Sequence, residues 1–140
     1  MTTASELKQM IDKFTWNTRV RCICCKDQLP DKHLDNEFGI VLLTSSDSDI
    51  TSSHWVSYFI KDNKKYYFCS YGSPICSELK DYLNSSSAEC NSDLGEEILG
   101  HTFRIQEFNE SIDGEVCIVF CYLMDKGIRY EEIVMNLSMS

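Results

Sequence analysis

The chain has 140 residues, 43% of them hydrophobic, enough for one domain over residues 1–140 around a single core. Thirteen basic residues against 22 acidic ones give a formal charge of −9, which argues against unaided binding to DNA or to an anionic membrane. No apolar run approaches the roughly 20 residues that span a bilayer, and Met1 to Glu6 lacks the basic and apolar regions of a signal peptide, so the chain is expected in the cytoplasm, or in the nucleus by diffusion.

Thr3-Ala4-Ser5-Glu6 matches a helix capping box, and Leu7, Met10, Ile11 and Phe14 then fall on one face of a helix of about three turns. Val20 to Cys25 suits a short strand, which Leu29-Pro30-Asp31 ends. Phe38 to Leu43 is a continuous apolar run of strand length and reads as a strand buried on both faces. Thr44 to Ser53 is a polar loop that delivers the chain to His54. Trp55 to Ile60 and Tyr66 to Cys69 are aromatic and β-branched runs joined by a polar turn over residues 61–65, the pattern of a β-hairpin.

Ser77 to Leu83 fits a short helix ending near Asn84. Residues 84–93 are poor in apolar side chains and read as a mobile surface loop. Thr102 to Gln106 alternates as a strand does, and Asp113-Gly114 is a strong turn signal. Val116 to Met124 is apolar throughout, and its periodicity leaves strand and buried helix open. Tyr130 to Leu137 has the spacing of a closing helix.

Eight cysteines in a chain without a signal peptide are expected to be mostly thiols. Cys22, Cys24 and Cys25 form a C-x-C-C cluster with no second C-x-x-C, a poor match to a zinc site; thiols packed in or beside a strand are the simpler reading, and no metal or cofactor is assigned. His33 and His101 lie in polar contexts and read as surface residues. Trp55, Tyr66, Tyr67, Phe68 and Tyr71 read as core and hairpin packing.

His54-Trp55-Val56, Tyr66-Tyr67-Phe68-x-Ser70-Tyr71-Gly72-x-Pro74, Ile105-Gln106 and Cys117-x-x-x-Cys121 together resemble the motif set of the adenovirus-type cysteine proteases, most closely those of Polinton or Maverick elements and adintoviruses. The likeness extends to Asp27-Gln28-Leu29-Pro30 and Gly39-Ile40-Val41-x-Leu43, and covers nearly all of the chain after about residue 18. It implies an α+β fold, a mixed sheet with packed helices, and the nucleophile at the N-terminus of a central helix. By this resemblance Cys117 is the nucleophile, His54 the general base and Gln106 the oxyanion donor, with Asn109 as the next candidate.

The residue types suit that chemistry. A thiolate is favoured at a helix N-terminus and beside an imidazolium, and an amide aimed at the developing oxyanion contributes roughly 2.7–4 kcal/mol. Three departures stand out. The family's acid falls at Cys69, read as a small apolar filler; the glycine that follows the nucleophile falls at Ile118; and Gln106 lies eleven residues before Cys117, a longer spacing than the family leads one to expect. Asp47, Asp49 and Glu115 are candidates for a carboxylate that has moved in to support His54.

Two functions follow. One is a viral or virus-like-element endopeptidase that matures virion proteins, with capsid or core proteins as substrates, a peptide as candidate activator, and a location in host cytoplasm, nucleus or the virion. The other is an inactive protease fold kept as a structural or binding protein. A minor third reading brings His54, Cys69 and Cys117 together as zinc ligands or joins the two cysteines in a disulfide.

Overall fold

Residues 2–47, 54–85, 98–100 and 112–139 are described by the computed structural model of the chain. Thr3 opens the first helix, α1 (Ala4–Asp12), through the expected capping box: its hydroxyl accepts from the Glu6 N–H while the Glu6 carboxylate accepts from the Thr3 N–H. Leu7 and Ile11, one turn apart, are buried on the inner face. Then come two strands, β1 (Arg19–Cys25) and β2 (Glu37–Leu42). All six residues of β2 are buried, as the apolar run predicts for a strand covered on both faces.

The central hairpin is β3 (Trp55–Lys61) and β4 (Lys64–Phe68). Its turn is tighter than the polar stretch suggests. Only Asp62 and Asn63 form it, both at positive φ, 52° and 63°, the conformation a two-residue turn needs to match the twist of its strands. A short helix α2 (Ser77–Asn84), a two-residue strand β5 (Ile98–Leu99), and two helices, α3 (Asp113–Asp125) and α4 (Tyr130–Met139), follow.

The strands form one mixed sheet in the order β1-β2-β3-β4-β5. The outer pairs, β1 with β2 and β4 with β5, are parallel; the inner pairs are antiparallel. Alternation along the strands divides the core in two. Phe38, Ile40, Leu42, Phe59 and Phe68 face α1, α3 and α4, while Val41, Val56, Tyr58, Ile60 and Tyr67 face α2. The protein is therefore α+β with helices packed on a mixed sheet.

Two local expectations change. Asp113-Gly114 is not a turn: it begins α3, and residues 116–124 lie wholly within that helix. A turn signal records only local preference, whereas here the Asp113 carboxylate is committed to backbone donors at the helix start. His33 is not on the surface; it is buried, its ring edge-on to Tyr82 at 6.2 Å. The expected strand at 102–106 lies outside the described residues, as does His101 and most of the loop at 84–93.

Candidate functional site

His54 stands one residue before β3, and Ser57 pairs with Phe68 across the hairpin. That register brings His54 beside the residues that leave β4. Its ring meets Tyr71 edge-on at 4.7 Å, and its Nε2 lies 3.5 Å from Cys69 Sγ. The chain turns sharply there: Gly72, at φ 69°, donates its N–H to the Cys69 carbonyl at 2.9 Å. A left-handed residue at this point favours glycine.

Cys69 is therefore more than an apolar filler. It is fully buried, and burial by itself pushes a thiol pKa up. The hydrogen bond with His54, the backbone N–H groups of Ser73 and Tyr71, and the charge of the imidazole outweigh that effect and bring the Cys69 thiol below its ordinary value. The sulfur and the His54 imidazole form a hydrogen-bonded pair in which either atom can carry the proton.

Across from it, α3 begins with Asp113, a fully buried carboxylate. Asp113 Oδ2 accepts from the Trp55 N–H at 2.9 Å, and Oδ1 accepts from the Gly114 N–H at 3.0 Å. Burial raises its pKa; the two N–H groups and the nearby charge of His54 offset this only in part. His54 thus contacts a thiol, and its charge also acts on the Asp113 carboxylate of α3.

Cys117 does not sit at a helix N-terminus. The helix begins four residues earlier, and Cys117, one turn in, is completely buried with its thiol donating to the Trp55 carbonyl at 3.5 Å. Burial above all, with Cys121 nearby, holds this thiol well above its ordinary pKa. Ile118 is likewise an inward-facing helix residue, 5% exposed. The glycine at the helix start is Gly114, where an added Cβ would meet Leu7 Cδ2 at 2.9 Å and Trp55 Cδ1 at 3.1 Å.

Gln106 and Asn109 lie outside the described residues. In sequence, Gln106 is eleven residues before Cys117 but seven before Asp113. Asp49 is also outside, and Glu115 accepts a hydrogen bond from the Thr2 hydroxyl. Thr2 also accepts from the Trp55 indole N–H at 2.9 Å, which lays the N-terminal arm over the start of α3. Neither Cys69 nor Cys117 is in a disulfide. Among the described residues no group of three or more His, Cys, Asp or Glu side chains could hold a metal ion.

Asp113 is the site residue that reading the sequence missed. Its signal was there: an Asp-Gly pair directly before an apolar run of helix length, at a shorter distance from Gln106. No family model, curated protein or solved structure matches this chain.

Proposed function

We propose that this chain is a divergent adenovirus-type protease fold that has lost its nucleophile and acts as a structural or binding protein of a virus or virus-like element. One observation carries the reading: the first residues of the central helix are Asp113-Gly114, where the resemblance leads one to expect cysteine followed by glycine. Aligned this way, the glycine returns to its place, and the interval to Gln106 shortens from eleven residues to seven. The cysteine is what has gone.

Asp113 cannot take over its work. Both carboxylate oxygens are held by backbone N–H groups, and the side chain has no exposed surface. Cys117 is a poor substitute, since only a thiolate attacks a carbonyl readily and burial keeps this thiol protonated. The space over Gly114, which close approach of a substrate would need, is filled by Leu7 and Trp55. A capsid or core protein of the same element is the partner that suits this reading.

The endopeptidase reading rests on the retained His54, paired with a thiol at Cys69. It requires Cys117 to attack the scissile carbonyl, His54 to carry the proton and Gln106 to hold the oxyanion. Hydrolysis of glycine-containing peptides by the wild-type chain and by Cys117→Ser separates the two readings. The inactive fold predicts no thiol-dependent turnover in either protein. Turnover in the wild type that Cys117→Ser abolishes would establish the endopeptidase instead.

A further inference from the structure

The mechanism of a protease has no use for a thiol at position 69, yet the surroundings of that sulfur are built for an anion. His54 Nε2 lies 3.5 Å away. The backbone N–H groups of Tyr71 and Ser73 act in the same direction and favour the charged sulfur. The Tyr67 hydroxyl, on a side chain 2% exposed and buried in the same cluster as Cys69, has no hydrogen-bond partner among the described residues. An imidazole in contact and a buried hydroxyl with a proton to give thus share the surroundings of one sulfur, and a thiolate suits them better than a thiol, which must place a proton of its own.

We propose that Cys69 is a peroxide-reactive thiol, activated by His54, and that its oxidation to a sulfenic acid is a covalent modification site of this chain. The thiolate sulfur attacks one oxygen of hydrogen peroxide and forms an S–O bond as the O–O bond breaks. The departing hydroxide takes the proton of the His54 imidazolium and leaves as water. Sulfur is oxidised by two electrons and peroxide is reduced; the products are Cys69 sulfenic acid, water and neutral His54. Burial sets the reagent class. Cys69 is fully buried while its partner His54 and the Tyr71 ring against it are half-buried, which suits a reagent little larger than water better than a peptide. Cys117 and Cys121 meet the Ser57 hydroxyl but no imidazole among the described residues, and burial holds both thiols protonated.

Several titratable groups bear on this sulfur: His54 ahead of β3, Tyr67 on β4, and Cys117 on α3, with Asp113 acting on His54. Among them only the imidazole brings a positive charge. The inference does not depend on the protease reading, because it uses only the His54–Cys69 pair.

The test exposes the folded protein to dilute hydrogen peroxide with dimedone present, and locates the adduct among the eight cysteines by peptide mass spectrometry. Cys69 is expected to label at least tenfold faster than Cys117 and Cys121, with a pH midpoint below the ~8.5 of a free thiol. His54→Ala should slow Cys69 labelling at least tenfold, and Tyr67→Phe should slow it less. The pH midpoint is read in the wild type alone, against half-exposed Cys25 in the same sample, so the result stands even if a variant folds poorly. Absence of a Cys69 adduct while Cys25 is labelled, or a Cys69 rate indifferent to His54 in a folded variant, would overturn the proposal.

Discussion

The backbone N–H of Trp55 donates to Asp113 Oδ2 at 2.9 Å, so the residue that follows His54 is pinned to the first residue of α3. The far end of the helix repeats the device: Asp125, also buried, accepts from the N–H groups of Asn17, at 3.0 Å, and Thr18, at 2.7 Å. Two carboxylates thus fasten one helix to the entries of β3 and β1.

Removing the first of these leaves two buried donors unmet. Asp113→Ala is expected to cost about 1–3 kcal/mol, because the Trp55 and Gly114 N–H groups lose their acceptor in a dry site. Asp113→Asn, which keeps one oxygen, should cost less. Urea unfolding of the three proteins gives the order directly, and an Asp113→Ala midpoint equal to wild type would contradict the assignment.

The two aspartates respond oppositely to acid. At Asp125 burial raises the carboxyl pKa, but the Asn17 and Thr18 donors and Lys126 outweigh it and leave it depressed. Its stabilisation is present above the ~3.9 of an unfolded aspartate and is lost as pH falls through the lower folded value. Asp113 is raised, so its ionisation opposes folding: between ~3.9 and its folded value, stability increases as pH is lowered. Asp125→Asn should flatten the acid limb of a stability–pH curve below pH 4, and Asp113→Asn should not.

A second polar centre lies on the α2 side of the sheet. The Glu37 carboxylate, fully buried, accepts from the Tyr58 and Tyr82 hydroxyls, the latter at 2.6 Å, and pairs with Arg21 at 3.2 Å. Tyr82→Phe should cost about 1.5–3 kcal/mol, the range for a hydrogen bond to a charged group. Chemical denaturation measures it; a loss below ~0.5 kcal/mol, the scale of a neutral surface change, would mean that Tyr58, Arg21 and the Leu34 N–H satisfy the carboxylate without Tyr82.

Gly39 on β2 faces the same cluster. A Cβ there would lie 2.5 Å from Tyr58 Cε1 and 2.9 Å from Cys22 Sγ. Gly39→Ala must push the Tyr58 ring off its Glu37 contact and is expected to destabilise by about 1–3 kcal/mol. Thermal unfolding checks this, with unchanged stability as the contrary result.

What was legible in the sequence was what periodicity and local chemistry encode. The capping box at Thr3 and Glu6, the fully buried β2 and the hairpin around Asp62 and Asn63 all follow from short-range patterns. What was not legible depends on contacts across the chain. Asp113-Gly114 read as a turn because its acceptor role depends on Trp55, 58 residues away. His33 read as a surface residue because the ring it packs against belongs to Tyr82 on α2. Cys69 read as a filler because its partner His54 reaches it only through hairpin register.

If Asp113 stands where a nucleophile was lost, a cysteine placed there by Asp113→Cys pairs with His54. The measurement is ultraviolet thiolate absorbance titrated against pH, with and without His54→Ala and with the wild type as reference, because position 113 is fully buried and an alkylating reagent would report access as well as ionisation. A new thiolate is expected with a midpoint well below the ~8.5 of a free cysteine, as a helix N-terminus and an imidazole together impose, and that midpoint rises when His54 is removed. A thiol at 113 that stays protonated as Cys117 does, with or without His54, would contradict this.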